Sequence, residues 1–186
     1  MNRLGERYPP LGTYYPRPKP VLFSRQILSP LQTAGIFSPF TMEALYNADI
    51  PDSSKLFVAL HELSHLSGFM REDEANFIAF LACRESGDYD LRYSGYINAL
   101  SYLLNAYDGE DFVDLIHTIP AQVRVEFAYR WAYWNSFLEK PGGAAIAAAS
   151  SAVNDAYLKS QGQQHGVKSY GRVVDLLIAD YLQRNS

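Results

Sequence analysis

Two histidines four residues apart, with a glutamate directly after the first, constrain this chain more than any other feature. In His61-Glu62-Leu63-Ser64-His65 the imidazoles can act together only if the segment is helical, because residues four apart lie one above the other on a helix. On that helix Glu62 stands about 100° round from His61. There it reaches a water held by a shared metal without ligating the metal itself. This is the H-E-x-x-H pattern, in which zinc lowers the pKa of a bound water to about 7 and the neighbouring carboxylate takes its proton.

The flanking residues agree with a helix. Asp52 or Ser53 is the expected N-cap, no Gly or Pro interrupts before Gly68, and Gly68 is a natural stop. The pattern therefore predicts a helix over 53–67. A second helix is expected from Arg71 to Cys83, with Glu72, Asp73 and Glu74 in its first turn, where the helix dipole favours acids. At 100° per residue Glu72, Ala75, Asn76, Ala79 and Cys83 form one narrow stripe able to approach another helix closely. Glu72 is thus the expected third zinc ligand, with Glu74 as the alternative. Asn76, one turn on, is expected to orient an imidazole from outside the ligand set. The competing reading is that the three acids only cap a helix.

The remaining segments read as one α+β domain, mostly α-helical, over residues 21–186, preceded by a Pro-rich extended arm or linker over 1–20. Short β-like runs are expected at Val21–Phe23, Ile36–Phe37 and Leu45–Ile50. Residues 44–49 are the candidate edge strand for an extended substrate, since an exposed edge can pair with a peptide main chain, or else a plain structural strand. Helices are expected over 91–107, 112–119, 121–140, 144–158 and 170–182, with a polar loop at 162–168. The 121–140 helix is apolar on several faces, which predicts a buried element. The Ala- and Ser-rich 144–158 helix predicts tight helix packing.

Composition bounds the function. The 186 residues, 48% hydrophobic with 14 Tyr and 10 Phe, can bury a substantial core. A net charge of −4 without a Lys/Arg cluster argues against a nucleic-acid surface. Cys83 is the single cysteine, which excludes an internal disulfide and a thiolate metal site, and it reads as a small core residue. No apolar run approaches the roughly 20 residues needed to cross a bilayer.

Several stretches, in order along the chain, carry a further resemblance. They are Pro18-Lys19-Pro20-Val21, Pro39-Phe40-Thr41, Asn47-Ala48-Asp49-Ile50-Pro51, His61 to His65, Gly68, Arg71 to Phe77, and Ser169 to Asp175. Through them the chain resembles a bacterial family of unknown function, read as membrane-anchored H-E-x-x-H zinc metallopeptidases. The Glu72-to-Asn76 arrangement is similar to the glutamate helix of gluzincins, although an acidic residue usually stands there where Asn76 stands here. The resemblance implies a zincin-like core: a small N-terminal β region, an active-site helix, then a helical bundle. It also implies a membrane anchor outside this chain, and so a soluble domain on the extracytoplasmic side, or a cytoplasmic protein if the chain is complete.

The expected activity is hydrolysis of a peptide or protein substrate, with Zn2+ held by His61, His65 and Glu72 and with Glu62 as general base. The alternatives are a zinc hydrolase of a non-peptide amide or ester, and a catalytically silent zinc-stabilised binding domain. A tetrahedral intermediate needs a further oxyanion donor. Tyr170, in the Ser-Tyr-Gly-Arg stretch that the resembled family shares, is the expected one, with His165 as alternative and Tyr157 and His117 also considered. His117 reads equally as a surface or capping imidazole. No residue pattern sets an oligomeric state.

Overall fold

A computed structural model describes residues 1–160 and 170–186, apart from the side chains of residues 2, 3, 157, 158, 160, 170 and 171. Its elements run α1 (Asn2–Arg7), a 3-10 turn (Pro9–Leu11), β1 (Lys19–Val21), α2 (Ser24–Ile27), β2 (Gly35–Ser38) and β3 (Glu43–Asn47). The helical part follows: α3 (Asp52–Leu66), α4 (Glu72–Arg84), α5 (Tyr89–Ala106), α6 (Phe112–Thr118), α7 (Ala121–Leu138), α8 (Gly143–Ser160) and α9 (Tyr170–Asn185). The chain is therefore α+β and mostly helical, as expected. Among the described residues no helix is long and apolar enough to cross a membrane.

The histidine helix α3 begins one residue early. Pro51 occupies its N-cap position without a side-chain cap, and Asp52 opens the first turn, so the expected Asp52 or Ser53 cap is corrected. The Ser53 hydroxyl is engaged elsewhere, donating to Glu126 of α7. The far end stops as expected. Gly68 takes φ +95°, and the Gly68 and Phe69 amides fold back onto the His65 and Ser64 carbonyls at 2.9 and 3.2 Å.

Helices α3, α4 and α5 pack on one another, and α9 closes over α4 and α5 with Val173 and Leu177 buried. The predicted small stripe makes this possible. Ala75, Ala79 and Cys83 are fully buried, and a Cβ added at Gly95 of α5 would lie 2.4 Å from Cys83 Cβ. Burial pushes the Cys83 thiol up to about 12, so it is the inert core residue its position suggested.

The sheet has the order β1-β3-β2, with β1 parallel and β2 antiparallel to β3. β1 lies two residues earlier than expected, because Phe23 adopts φ +57° at the start of α2 and cannot continue a strand. The more consequential correction concerns residues 44–49. β3 is the central strand, with Leu45 opposite both Lys19 and Ile36, so it has no free edge for a substrate. The edge strand facing α3 is β2.

Three further expectations change. Residues 1–20 are not a purely extended arm: they hold α1 and the 3-10 turn, because Leu4 and Leu11 reach the core and are buried. Tyr15 then ties this segment to the end of α3, accepting from Ser67 Oγ at 2.9 Å and donating to the Leu11 carbonyl at 2.8 Å. Helix α7 is not buried all round. Only Phe137 is, while Trp131 is 69% exposed, and Phe127, Trp131 and Trp134 line a surface groove of about 550 Å³ against α5 and α6. The third change is α8, whose main contacts among the described residues are with α7, so that most of its alanines face outward and the expected tight packing is not seen among those residues. The polar loop expected at 162–168 lies outside the described residues.

Candidate metal centre

The i, i+4 spacing on α3 brings His61 and His65 edge to face, with ring centroids 4.6 Å apart and Nε2 atoms 3.0 Å apart. The tight α3–α4 packing places Glu72, in the first turn of α4, over the same point. Its Oε2 is 3.3 Å from His61 Nε2 and its Oε1 is 3.6 Å from His65 Nε2. A tetrahedral zinc with bonds of about 2.0–2.1 Å sets its ligand atoms about 3.3 Å apart. The separations here bracket that value, so the donor set fits a single zinc ion. His61, His65 and Glu72 are also the one His/Cys/Asp/Glu group among the described residues with metal-holding geometry.

The surroundings select Glu72 over Glu74. Glu74 is partly exposed and faces Arg71 at 3.5 Å, and Asp73 is buried against the same arginine at 2.7 Å. Neither belongs to the cluster. His65 Nδ1 stands 2.9 Å from the Phe69 carbonyl, so that nitrogen carries the proton and Nε2 keeps its lone pair. Asn76 is buried beside His61 and accepts a hydrogen bond from Tyr102 at 2.8 Å.

Without a metal the cluster holds protons instead. Burial opposes charge on His61, but the Glu72 hydrogen bond, the Glu62 and Glu72 charges and Asn76 outweigh it and lift its pKa to about 9. Burial and the neighbouring His61 charge push His65 down to about 4. Burial would raise Glu72, yet its bond to His61 and both imidazoles hold it below the usual carboxylate range. Two nitrogens 3.0 Å apart cannot both be protonated, so there is room for one cation between them.

Glu62 is buried, with burial lifting its pKa to about 7 against the opposing His61 charge. Strand β2 forms its wall: a Cβ added at Gly35 would sit 2.4 Å from Glu62 Oε1 and 2.7 Å from Val58 Cγ1. Further along β2, the Phe37 ring lies 6.4 Å from the His65 ring. Sequence reading missed Gly35, Phe37 and Tyr102. A glycine opening a short β run was the only sign of the first, and the other two carry no local signal.

The oxyanion candidates divide. Tyr170 is the first residue of α9, but its side chain lies outside the described residues, as do the Tyr157 side chain and the whole of His165. His117 is exposed on α6, 3.3 Å from an Arg124 nitrogen, and is not part of the cluster.

Compared with known proteins, residues 1–178 match the model of a family described as protein of unknown function (DUF3810). The chain belongs to that family. No curated protein matches it, and no solved structure does. The family description carries no activity, so the chemistry rests on the site itself.

Proposed function

We propose that this family member is a zinc-dependent metallopeptidase of zincin-like, gluzincin type. The observation that carries the reading is the pairing of a three-donor cluster with a buried carboxylate that is not one of the donors. His61, His65 and Glu72 would hold zinc and leave one position for substrate or water. A site with three protein ligands and an open fourth position is the catalytic pattern, whereas structural zinc sites normally close it.

Bound there, zinc would lower the pKa of a water and polarise the scissile carbonyl. The chain supplies the rest. Glu62, buried beside the cluster, takes the proton of the attacking water and returns it to the leaving amine. Phe69 fixes the tautomer of His65 through its carbonyl. The outer edge of β2, the strand against Glu62 and His65, is where an extended peptide would add main chain to main chain. Tyr170 stays the proposed oxyanion donor.

The deciding experiment is elemental analysis of untagged protein together with peptide-library hydrolysis. About one zinc per chain is expected in the parent and in Glu62→Gln, and none in His61→Ala. Only the parent should cleave. Parental activity in Glu62→Gln, or a parent that takes up no zinc at neutral pH, would overturn the reading.

A further inference from the structure

Tyr102, on α5, belongs to a helix that contributes no donor to the cluster, yet its hydroxyl donates to Asn76 Oδ1 at 2.8 Å. Its ring packs on Phe57, with centroids 6.2 Å apart, and Phe57 is a core residue of α3 one turn before His61. Tyr102 is therefore held at both ends. A carboxamide has one accepting and one donating end, and a donating hydroxyl must meet the oxygen. Here that oxygen is Asn76 Oδ1, and it keeps a second lone pair.

The two imidazoles differ in what holds them. His65 Nδ1 has the Phe69 carbonyl, whereas His61 Nδ1 is buried and finds no hydrogen-bond partner among the described residues. An imidazole that binds a metal through one nitrogen needs an acceptor for the proton on the other. Asn76, one helical turn beyond Glu72 on α4, is the uncharged polar side chain of that helix beside His61.

We propose that Tyr102 is a positioning residue for the metal centre. It holds the Asn76 carboxamide so that an oxygen is available to the His61 Nδ1–H, and thereby sets the tautomer in which Nε2 binds zinc. The role rests on the zinc reading above, and Tyr102 exerts it only through Asn76.

The test is zinc affinity by chelator competition in the full chain. Tyr102→Phe keeps the ring on Phe57 and removes only the hydroxyl; it is expected to weaken zinc binding about 10-fold or more, the range for lost outer partners of a ligand. Tyr102→Phe combined with Asn76→Ala should bind no more weakly than Asn76→Ala alone. Asn76→Asp presents two equivalent oxygens and needs no flip control, so in that background Tyr102→Phe should have no effect. Melting temperatures of the metal-free variants, followed alongside, register any purely structural loss, which would persist in the Asn76→Asp background. Unchanged affinity in Tyr102→Phe, or the same weakening in every background, overturns the role alone. A parent that binds no zinc overturns it together with the zinc reading.

Discussion

Adding one methyl group at Gly35 tests whether β2 sets the position of the proposed base. The new Cβ would lie 2.4 Å from Glu62 Oε1, 2.9 Å from Glu62 Cδ and 2.7 Å from Val58 Cγ1. Val58 is β-branched and stiff on a helix, so the carboxylate is the group that must yield. Opening the contact from 2.4 Å to beyond 3.0 Å displaces it by at least about 0.6 Å. Misplacing a reacting group by about 1 Å costs about 100-fold in rate, or about 3 kcal/mol of barrier. The overpacking itself costs about 1–3 kcal/mol of stability. Gly35 has ordinary negative φ, so no backbone strain is added. Gly35→Ala is therefore expected to bind one zinc with near-parental affinity and to hydrolyse peptides about two orders of magnitude more slowly. The assay is single-turnover cleavage of a quenched-fluorescent peptide library, read beside zinc content and thermal melting. A variant that folds, binds zinc and cleaves at the parental rate would refute the idea that this strand holds the base in place.

Other expectations concern the ligands, the protons and the packing beneath them. Glu72→Ala should lose zinc in a chelator competition while Glu74→Ala keeps it, because only Glu72 reaches both imidazoles; equal losses would return Glu74 to the ligand set. In metal-free protein, His61 binds its proton more tightly folded than unfolded, with its pKa raised from 6.5 to about 9. That stability is present below 6.5 and is lost as pH rises through 9. Glu62, raised from 4.5 to about 7, acts in the same direction over its own window, and His65, lowered to about 4, acts oppositely below 6.5. The melting temperature of the metal-free chain should therefore fall between pH 7 and 9. With zinc bound, His61 is already neutral and that fall should vanish; a flat metal-free curve would contradict the proton-sharing picture. Gly95→Ala drives a Cβ to 2.4 Å from Cys83 Cβ. It should cost about 1–3 kcal/mol, seen as a melting shift of about 3–10 °C, and an unchanged melting temperature would show that α4 and α5 are not in such close contact.

What could be read from the sequence is what one helix or one short link determines. The spacing of His61 and His65, the stop at Gly68 and the stripe through Glu72, Ala75, Ala79 and Cys83 are all periodic, so a wheel places them before any partner is known. The clustering of His61, His65 and Glu72 was legible for that reason. Strand order is not periodic. Whether β3 is an edge depends on β1, whose Lys19 lies 26 residues from Leu45 in sequence, and no local pattern records that pairing. The aromatic run of α7 is apolar on several faces, so its sequence does not say which face is covered; in the fold only Phe137 is buried. The contact from Tyr102 to Asn76 spans 26 residues and carries no motif.

The strand correction changes the chemistry and not only the topology. Had residues 44–49 been the edge, a bound peptide would have been ordered by a strand separate from the one walling Glu62. With β2 at the edge, the segment from Gly35 to Ser38 walls Glu62 through Gly35, faces the His65 ring through Phe37 and leaves its outer side unpaired among the described residues. The backbone that would align a peptide is then the backbone that walls the proposed base. In the proposed peptidase, alignment and proton transfer would be coupled through one short strand, and a change at Gly35 is expected to alter the rate of cleavage more than the affinity for metal.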